Sequence, residues 1–523
     1  MSDGEGKPKV VIVREQTNIT SGTDVQEKLI LAARVFSDLL KPTLGPRGLD
    51  KMLYKTDGTT AVTNDGAKIV AELLVKHPAA KMMVSMGNVQ EETCGDGVTT
   101  TMLLCGSMLI EANTLLKKGL HPLTLVDGYK MALEAAKLQI KKDIKEVNDK
   151  YLLSTAMTAL RGKGAETALN VFSPIIVESL SILSKNRKNP GAEHVLMFKS
   201  GLGSLQDSRL LKGVIINRRV LMDNLPNNLI NPKIAVLDSD LKIRTLTRSV
   251  EIKITSANQL DSFVDAEQDR KDSIANAIIQ SGANAIFCSG EIDREILHQL
   301  CDNSILTIGE LDSSEIENIA SAVGAKIVDS MLDINSTDLG GCTSIGWERR
   351  ENTDQVEDII TIDGCSNPQI VTIEVGGSGG IGTDEIIRGL HDSLRATSIA
   401  ISDNELLPGA GAIHSRMANA VRKASETEPG RARLAMEAYA RALETIPATL
   451  VENAGGDSLD RILELRATSR DSDAPIGITP DGFVSIIDDV WHPRLIIEAA
   501  LESATETAMS MLRIDQVISA RGD

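Results

Sequence analysis

Aromatic residues are scarce in this chain of 523 residues: Phe, Tyr and Trp together make up 2% of it, although hydrophobic residues make up 42%. The hydrophobic cores must therefore consist of Ala, Ile, Leu, Val and Met. Proteins that bind single-stranded nucleic acid stack the bases on aromatic rings, so this composition argues against that class of partner. The excess of 73 acidic over 55 basic residues gives a net charge of −18, which repels a phosphate backbone. We expect no nucleic-acid partner.

The chain also has no cysteine pattern of a metal site and no long apolar run. No two of its six cysteines have CxxC spacing, which argues against a zinc or thioredoxin-like site and favours buried free thiols in a reducing compartment. The apolar stretch at residues 102–110 contains Gly106 and Ser107 and is too short to cross a bilayer. The first residues have no apolar signal segment. We expect a cytoplasmic protein without membrane contact.

The chain is long enough for three to four domains, and its pattern changes twice. Helical spacing dominates up to about residue 145 and returns after residue 395, where it covers residues 412–423, 432–453 and 494–512. The centre alternates helices with short apolar runs at residues 212–220, 233–237, 285–288, 305–308 and 326–328. The pattern predicts a multidomain α and α/β protein. A natural solution is a discontinuous helical domain built from both chain ends, with the α/β part inserted.

The strongest local signal for chemistry is Gly95-Asp96-Gly97-Val98-Thr99-Thr100-Thr101, which opens an apolar helix. Glycines let a backbone approach a ligand closely, and the N–H groups of a helix N-terminus bind anions. The Thr hydroxyls add donors, and Asp96 would suit Mg²⁺ that bridges phosphates. No Gly-Lys-Ser/Thr follows, so this is not a Walker A loop. An ordinary helix start with Thr in its first turn explains the same residues, and both interpretations stay open.

A second glycine-rich stretch, Gly377-Ser378-Gly379-Gly380-Ile381-Gly382, matches the GxGxxG fingerprint of dinucleotide-binding domains. It follows an apolar run at residues 369–375, and Asp403 lies about 20 residues further on. Nothing upstream resembles the start of a dinucleotide domain. A strand-to-helix turn is the simpler interpretation, and an oxidoreductase site is the alternative.

Three acidic residues at turns or helix ends are candidates for activating a water molecule: Asp65, Asp96 and Asp392. Phosphoryl transfer uses one carboxylate on the metal ion and another that orients or deprotonates the attacking group. Each of the three also suits the role of a helix N-cap or a solvated acid. No Ser-His-Asp or Cys-His arrangement supports acyl transfer.

At these positions the chain resembles the group II chaperonins, the family of the archaeal thermosome and the eukaryotic cytosolic chaperonin. The resemblance covers residues 16–517. Its motifs follow one another in the family's order: Thr43-Leu44-Gly45-Pro46-Arg47-Gly48, Thr63-Asn64-Asp65-Gly66-Ala67, His77-Pro78-Ala79-Ala80-Lys81-Met82, Gly95-Asp96-Gly97, Arg161-Gly162-Lys163-Gly164-Ala165-Glu166, residues 252–260, Leu390-His391-Asp392-Ser393-Leu394, Val451-Glu452-Asn453-Ala454-Gly455 and Leu512-Arg513-Ile514-Asp515.

The resemblance implies three domains. Residues 1–145 and 401–523 would form a mostly helical equatorial domain, and residues 146–214 and 369–400 a small intermediate hinge domain. Residues 215–368 would form an α/β apical domain whose helical protrusion, about residues 240–281, serves as a built-in lid. The implied partners are unfolded polypeptides and the same or paralogous subunits in a double ring. A separate co-chaperonin would be unnecessary.

The resemblance also implies an ATPase with ATP and Mg²⁺ as cofactors. Asp96 would hold Mg²⁺, Asp65 would help to place the water, Asp392 would be the general base and Lys163 would sense the γ-phosphate. The other residues implied in nucleotide binding are Leu44, Gly45, Pro46, Gly95, Gly97, Val98, Thr99, Thr100, Gly409, Ala410, Gly411 and His492. A base on a mobile domain would make hydrolysis depend on closure.

Three positions of the implied nucleotide site depart from the family pattern. Val98 stands where the family has Thr, so one hydroxyl donor is lost. Ala410 replaces the middle residue of a Gly-Gly-Gly sequence, and its methyl group would crowd the ligand. His492 stands where a carboxylate usually precedes Pro. These departures motivate an alternative function, in which the chain is a structural or substrate-recognition subunit of a mixed ring with weak or no ATP turnover.

Overall fold

The computed structural model describes residues 18–21, 23–54, 58, 60–162, 169–243, 257–330, 334–351, 356–377, 381–470 and 472–519. The helices in this part of the chain are α1 Thr23–Leu40, α2 Gly66–Ala71, α3 Pro78–Cys94, α4 Val98–Lys117, α5 Pro122–Asp143, α6 Asp149–Leu160, α7 Leu169–Asn186, α8 Ala257–Ser281, α9 Arg294–Asp302, α10 Ser313–Val323, α11 Ile381–Asp403, α12 Ala412–Glu426, α13 Ala432–Leu443, α14 Thr445–Asn453, α15 Ser458–Ser469 and α16 Arg494–Leu512.

The strands are β1 Asn18–Ser21, β2 Lys51–Tyr54, β3 Thr60–Thr63, β4 Lys145–Glu146, β5 Val195–Lys199, β6 Arg209–Leu211, β7 Val214–Asn217, β8 Asn228–Ile230, β9 Lys233–Leu237, β10 Ala285–Cys288, β11 Leu306–Ile308, β12 Ile327–Val328, β13 Gly340–Gly341, β14 Ser344–Glu351, β15 Val356–Asp363, β16 Val371–Val375, β17 Glu405–Pro408, β18 Ile476–Ile478, β19 Val484–Ile486, β20 Trp491–Pro493 and β21 Gln516–Ser519. A multidomain α and α/β fold, as the sequence predicts, is therefore confirmed.

The chain divides into two compact units. Unit 1 combines residues 1–169 with residues 388–523, and unit 2 consists of residues 170–387. One unit is thus built from both chain ends, with the other inserted. The finer division into equatorial, intermediate and apical domains, with the boundaries given above, stays a prediction.

The core of unit 1 surrounds α4, whose residues 101–109 are all buried. A helix that is apolar on every side belongs in the centre of a bundle, and α1, α3, α13 and α16 pack around this one. The core contains few rings: Tyr129 and Tyr439 meet edge to face with their centroids 5.3 Å apart. Their hydroxyl groups bond to the Met108 carbonyl oxygen and to Thr505 Oγ1 at 2.6 and 2.7 Å. Aliphatic residues therefore supply most of this core, as the composition predicts.

Short strands complete unit 1. The antiparallel pair β1–β21 brings the two ends of the described chain together, and β2 and β3 form another antiparallel pair. Strand β17 pairs with both β4 and β20. This small sheet positions the residues that follow β17 and, in β20, His492.

Unit 2 contains the α/β part. Strands β11, β10, β9 and β12 form a parallel sheet in that order, and β13 pairs with β9 antiparallel. Strands β7, β15, β14 and β8 form an antiparallel sheet, and β16 lies between β5 and β6 in a third. The predicted runs at residues 233–237 and 285–288 coincide with β9 and β10.

The predicted protrusion, residues 240–281, lies partly outside the described residues, which omit 244–256. Its C-terminal part is α8, in which Ile274, Ala275 and Ile278 pack into a core cluster with Leu237 and Ile286. Because these side chains are buried against the sheet, the last turns of α8 belong to the body of unit 2. The extent of the protrusion itself stays a prediction.

Five of the six cysteines are buried, Cys301 is partly exposed, and all six are free thiols. Burial is the main cause that raises the pKa of Cys105 and of Cys288 to about 12. In the part of the chain that the structure describes, we find no helix with the length and apolar character needed to cross a membrane.

Candidate active site

One cavity in unit 1 gathers fifteen of the sixteen predicted site residues: Leu44, Gly45, Pro46, Asp65, Gly95, Asp96, Gly97, Val98, Thr99, Thr100, Asp392, Gly409, Ala410, Gly411 and His492. They come from six separate stretches of sequence. The sixteenth, Lys163, lies outside the described residues. The individual roles given to these residues stay predictions, but their convergence on one cavity is a property of the fold.

The loop Gly95-Asp96-Gly97 connects α3 to α4. Gly95 ends α3 with a φ of 67°, and Gly97 is the N-cap of α4 with a φ of 93°. Both are left-handed conformations that favour glycine. No side chain caps α4. The N-terminus of this 20-residue helix therefore faces the cavity with backbone N–H groups, which suits an anion.

Hydrogen bonds and close packing hold this loop in place. Asp96 Oδ1 accepts a hydrogen bond from the Gly97 N–H at 2.8 Å, which orients the carboxylate. Gln90 Nε2 donates to the carbonyl oxygens of Asp96 and Ile496 at 2.9 and 3.4 Å. A Cβ atom on Gly97 would lie only 2.9 Å from Gln90 Nε2. Glycine is thus required here by packing as well as by φ.

Asp65 reaches the cavity as the N-cap of α2. Its Oδ1 accepts from the Ala67 N–H at 2.9 Å, and its own N–H donates to Thr63 Oγ1 at 3.1 Å. The next residue, Gly66, is so close to the first turn of α4 that a Cβ atom there would lie 2.3 Å from Thr99 Oγ1. The N-cap interpretation of Asp65 is correct, and the same geometry places this residue beside the glycine loop.

The loop that contains Leu44, Gly45 and Pro46 forms another wall. Gly45 has a φ of 84°. Asn453 Nδ2 donates to the carbonyl oxygens of Lys41 and Leu44 at 3.0 and 2.8 Å. The segment at residues 451–455 belongs to the site because Asn453 holds the loop that forms this wall.

Asp392 lies on α11 with 9% of its surface exposed. The next residue, Ser393, donates through Oγ to the Ala156 carbonyl oxygen of α6 at 3.0 Å. Arg395 Nη1 forms an ion pair of 2.9 Å with Glu91, another residue that lines the cavity. Burial, with a smaller contribution from Arg395, lowers the pKa of His391. These contacts fix the turn of α11 that carries Asp392 against α3 and α6.

The turn after β17 also lines the cavity. The Gly409 N–H donates to the Val490 carbonyl oxygen at 2.8 Å, and the Ile478 N–H donates to the Ala410 carbonyl oxygen at 2.9 Å. His492 pairs in register with Leu407. Its ring covers Gly409, since a Cβ atom on that glycine would lie 3.0 Å from His492 Nε2.

Two of the departures from the family pattern differ in their surroundings. Val98 is 3% exposed and belongs to the core, where its Cγ1 would lie 3.3 Å from a Cβ atom on Gly87. Ala410 has a φ of 52°, which is unfavourable for any residue with a Cβ atom. Its methyl group lies beside Gly477 of β18, whose Cβ position is 3.3 Å away.

Several residues of the site had no role predicted from the sequence, although Asn64, Arg161 and Gly162 stand in motifs of the family resemblance. The cavity wall also includes Asn64, Arg161, Gly162, His414, Asp489 and the segment Ile478-Thr479-Pro480. Asn64 Nδ2 donates to the Gly162 carbonyl oxygen, and Arg161 pairs with Asp489 at 2.9 Å. A proline next to a short apolar run was the one sequence signal for residues 478–480.

The donor set suits a phosphorylated ligand with a hard cation. In the described residues, no group of three or more His, Cys, Asp or Glu side chains could cage a metal ion. Mg²⁺ needs no such cage, because it is commonly held by one or two carboxylates together with phosphates and water. Asp96, next to the N-terminus of α4, provides a carboxylate where phosphate oxygens would bind.

The GxGxxG stretch has a different setting. Strand β16 precedes it, but β16 lies in a three-stranded sheet with one parallel and one antiparallel neighbour. A dinucleotide domain has an open, mostly parallel sheet around that turn. Residues 378–380 lie outside the described part, and the strand and helix α11 on either side favour the simpler strand-to-helix turn.

Comparisons with known proteins agree with this picture. The sequence profile of the TCP-1/cpn60 chaperonin family matches residues 36–522. Thermosome subunit beta and thermosome subunit alpha of Archaeoglobus fulgidus are 35% and 36% identical to this chain, and a thermosome subunit of Methanopyrus kandleri is 34% identical. Each of these alignments covers 100% of this chain and 96% of the relative.

Proposed function

This chain belongs to the TCP-1/cpn60 chaperonin family as a group II chaperonin subunit, and we propose that it is an ATPase of a double ring that encloses unfolded polypeptides. The observation that carries the proposal is the convergence, on one cavity, of predicted site residues from six separate stretches of sequence. Bound Mg-ATP would supply a phosphoryl group and a cation that neutralises charge on its oxygens.

At the phosphate end, the N–H groups of the first turn of α4 and the Thr99 and Thr100 side chains would bind phosphate oxygens. The left-handed glycines 45, 95 and 97 leave this wall without side chains. The Asp96 carboxylate, oriented by the Gly97 N–H, would be the protein ligand of Mg²⁺. Leu44 and Pro46 would cover the nucleotide from the side that Asn453 holds.

Two carboxylates would act on the attacking water. Asp65 is held rigidly as an N-cap and would orient the water molecule. Asp392, on a helix turn tied down by Ser393 and Arg395, would accept its proton. Lys163 keeps the role of γ-phosphate sensor that the family resemblance implies. At the nucleoside end, Gly409, Ala410, Gly411 and His492 would contact the sugar and base.

The ring and its clients are further parts of the proposal. The relatives are named as thermosome subunits alpha and beta, which supports assembly with the same or paralogous subunits. The predicted protrusion would act as the lid, so that no separate co-chaperonin is needed. The cytoplasm suits such a protein, since all six cysteines are free thiols.

The decisive experiment compares phosphate release from Mg-ATP by the purified protein and by an Asp392→Asn variant. General-base catalysis contributes about 10²–10⁴-fold, so we expect hydrolysis by the variant to fall at least about 100-fold with ADP affinity retained. Asp403→Asn, at the exposed end of the same helix, is the matched control and should leave the rate unchanged.

The same measurement distinguishes the proposed ATPase from the alternative function. A wild-type protein that assembles into rings yet releases phosphate no faster than Asp392→Asn would be a structural or substrate-recognition subunit. Mass measurement with and without Mg-ATP then shows whether the particle contains many subunits and compacts on binding. A particle with nucleotide-independent mass and shape would contradict ATP-driven closure.

A further inference from the structure

His414 combines burial, a position on the cavity wall and an unpaired nitrogen. It is the third residue of α12, its side chain is 4% exposed, and it lines the cavity close to Gly411 and His492. Its Nδ1 has no hydrogen-bond partner among the residues that the structure describes. Buried polar atoms are nearly always hydrogen-bonded, so an orphan nitrogen in a ligand cavity calls for a partner.

The imidazole is neutral at physiological pH. Burial lowers the pKa of His414 to about 3, and the nearby His492 contributes in the same direction. A neutral imidazole has one N–H donor and one nitrogen acceptor. It can therefore bond to a hydroxyl or amino group without requiring a charge on the ligand.

The backbone around His414 is fixed, which makes the ring a precise probe of what binds. Gly411 is the N-cap of α12 with a φ of 77°, and its carbonyl oxygen accepts from the Ser415 N–H at 3.0 Å. Ile413, just before His414, and Met417, three residues after it, are both fully buried in the core. The remaining freedom is rotation about the Cβ–Cγ bond of His414, a broad and roughly two-fold torsion that exchanges Nδ1 with Cδ2.

We propose that His414 is a nucleoside-specificity residue, whose buried ring nitrogen forms a hydrogen bond with a polar group of the nucleoside. This inference rests on the proposed ATP binding in the same cavity. The group is either a sugar hydroxyl or the amino group on the adenine ring. A nucleotide without that group leaves the nitrogen unpaired, and sites of this kind reject such analogues strongly.

The test is calorimetric binding of four nucleotides to the full-length protein in the presence of Mg²⁺: ADP, 2′-deoxy-ADP, 3′-deoxy-ADP and inosine diphosphate. We expect at least one analogue to bind about tenfold more weakly than ADP, equivalent to about 1.4 kcal/mol. A deoxy analogue with that loss identifies the sugar as the partner, whereas inosine diphosphate identifies the base.

In His414→Leu, the ratio of the affinity for ADP to the affinity for that analogue should fall to about one, because only the affinity for ADP decreases. Replacing an unpaired polar group by an apolar one need not destabilise the fold. His414→Gln, which keeps a donor and an acceptor, serves as a second variant and should retain part of the discrimination. Met417→Leu, one turn further along α12 and absent from the cavity wall, should bind all four nucleotides as the wild type does.

A failure of the proposed ATPase function and a failure of the role of His414 give different results in this experiment. If the wild type binds none of the four nucleotides, the proposed ATPase function fails and this inference falls with it. If the wild type binds ADP but His414→Leu and the wild type have the same ratios, ATP binding stands and the role of His414 is overturned. Equal affinity of the wild type for all four nucleotides also overturns it.

Discussion

Asn453 Nδ2 lies 2.8 Å from the carbonyl oxygen of Leu44, across 409 positions of sequence. A second hydrogen bond from the same atom, to Lys41 at 3.0 Å, makes the amide a clamp on the loop before Gly45. The ion pair between Lys41 and Glu452, at 2.6 Å, reinforces it. One wall of the cavity therefore depends on the C-terminal end of α14.

We expect Asn453→Ala to weaken ADP binding about five- to tenfold, since buried carbonyl groups that lose their donor cost about 1–3 kcal/mol and the loop loosens. Calorimetric titration with Mg-ADP measures the effect. Asn419→Ala is the matched control: Asn419 Nδ2 donates to Ser469 Oγ at 3.0 Å, in the same unit but away from the cavity. Equal losses of affinity in both variants would mean that Asn453 acts through general stability.

A buried carboxylate connects α12 and α15 to the junction of α13 and α14. Glu444, between α13 and α14, has a side chain 7% exposed and receives two hydrogen bonds from Arg422 and two from Arg466, all between 2.6 and 2.9 Å. Removing one member of a buried charge group leaves the others uncompensated, typically at about 3–5 kcal/mol. We expect Glu444→Ala to lower the thermal midpoint by at least about 5 °C.

The comparison for Glu444 is Glu437, whose ion pair with Arg433 at 3.0 Å is largely exposed. Exposed pairs contribute about 0–1 kcal/mol, so Glu437→Ala should leave the midpoint within about 2 °C of the wild type. Differential scanning calorimetry on both variants decides the matter. Similar shifts would show that Glu444 is not a structural centre.

The sequence predicts local structure well where one short pattern decides it. Strands β9 and β10 are found at the predicted residues because each is a short, continuously apolar run. The predicted helix at residues 432–453 is instead two helices, α13 and α14, which meet at Glu444. Its periodicity could not reveal this break, which coincides with a carboxylate bound by two arginines from other helices.

The residues of the site also divide into those that the sequence predicts and those that it does not. The glycines at 45, 95, 97 and 411 were predictable, because a turn that needs a left-handed conformation leaves a mark in the sequence. The parts played by Asn453, Asp489 and His414 were not predictable. Asn453 lies in a motif of the family resemblance, but its hydrogen bonds to Lys41 and Leu44 join residues far apart in the chain, as does the ion pair of Asp489 with Arg161. A lone His such as His414 has no local pattern to mark it.

Acid should destabilise the fold through His414. Its pKa is about 3 in the folded protein, below the ordinary value of 6.5, so the unfolded state binds a proton first as the pH falls. Stability is therefore complete above pH 6.5 and declines between pH 6.5 and 3. From pH 7 to 5 the wild type should lose about 2 kcal/mol that His414→Leu does not lose.

Urea midpoints at pH 7 and pH 5, monitored by tryptophan fluorescence, measure this difference. Trp491 is a suitable reporter because it is buried next to His492 and contacts Tyr151, with ring centroids 4.4 Å apart. Met417→Leu should show the full pH dependence of the wild type. Parallel losses in the wild type and in His414→Leu would place the proton uptake on another group.

Ala410 offers a test of whether the departure from glycine affects the ligand or only the backbone. Its φ of 52° costs a residue with a Cβ atom about 1–2 kcal/mol. Glycine avoids this cost, but part of the gain in stability is lost because glycine makes the unfolded chain more flexible. We expect Ala410→Gly to raise stability by about 0.5–1 kcal/mol. Because the methyl group lies beside Gly477, ADP affinity should stay within about twofold in the same calorimetric assay.

Gly477→Ala is the reciprocal variant. A Cβ atom at Gly477 would lie 2.7 Å from the Ala410 carbonyl oxygen and 3.3 Å from the Ala410 Cβ. That carbonyl group also accepts from the Ile478 N–H, so the turn cannot move away without losing a hydrogen bond. We therefore expect Gly477→Ala to lower the free energy of unfolding by about 1–3 kcal/mol. A several-fold gain in ADP affinity for Ala410→Gly would contradict this account. The methyl group would then crowd the nucleotide, and restoring glycine should also raise the rate of hydrolysis.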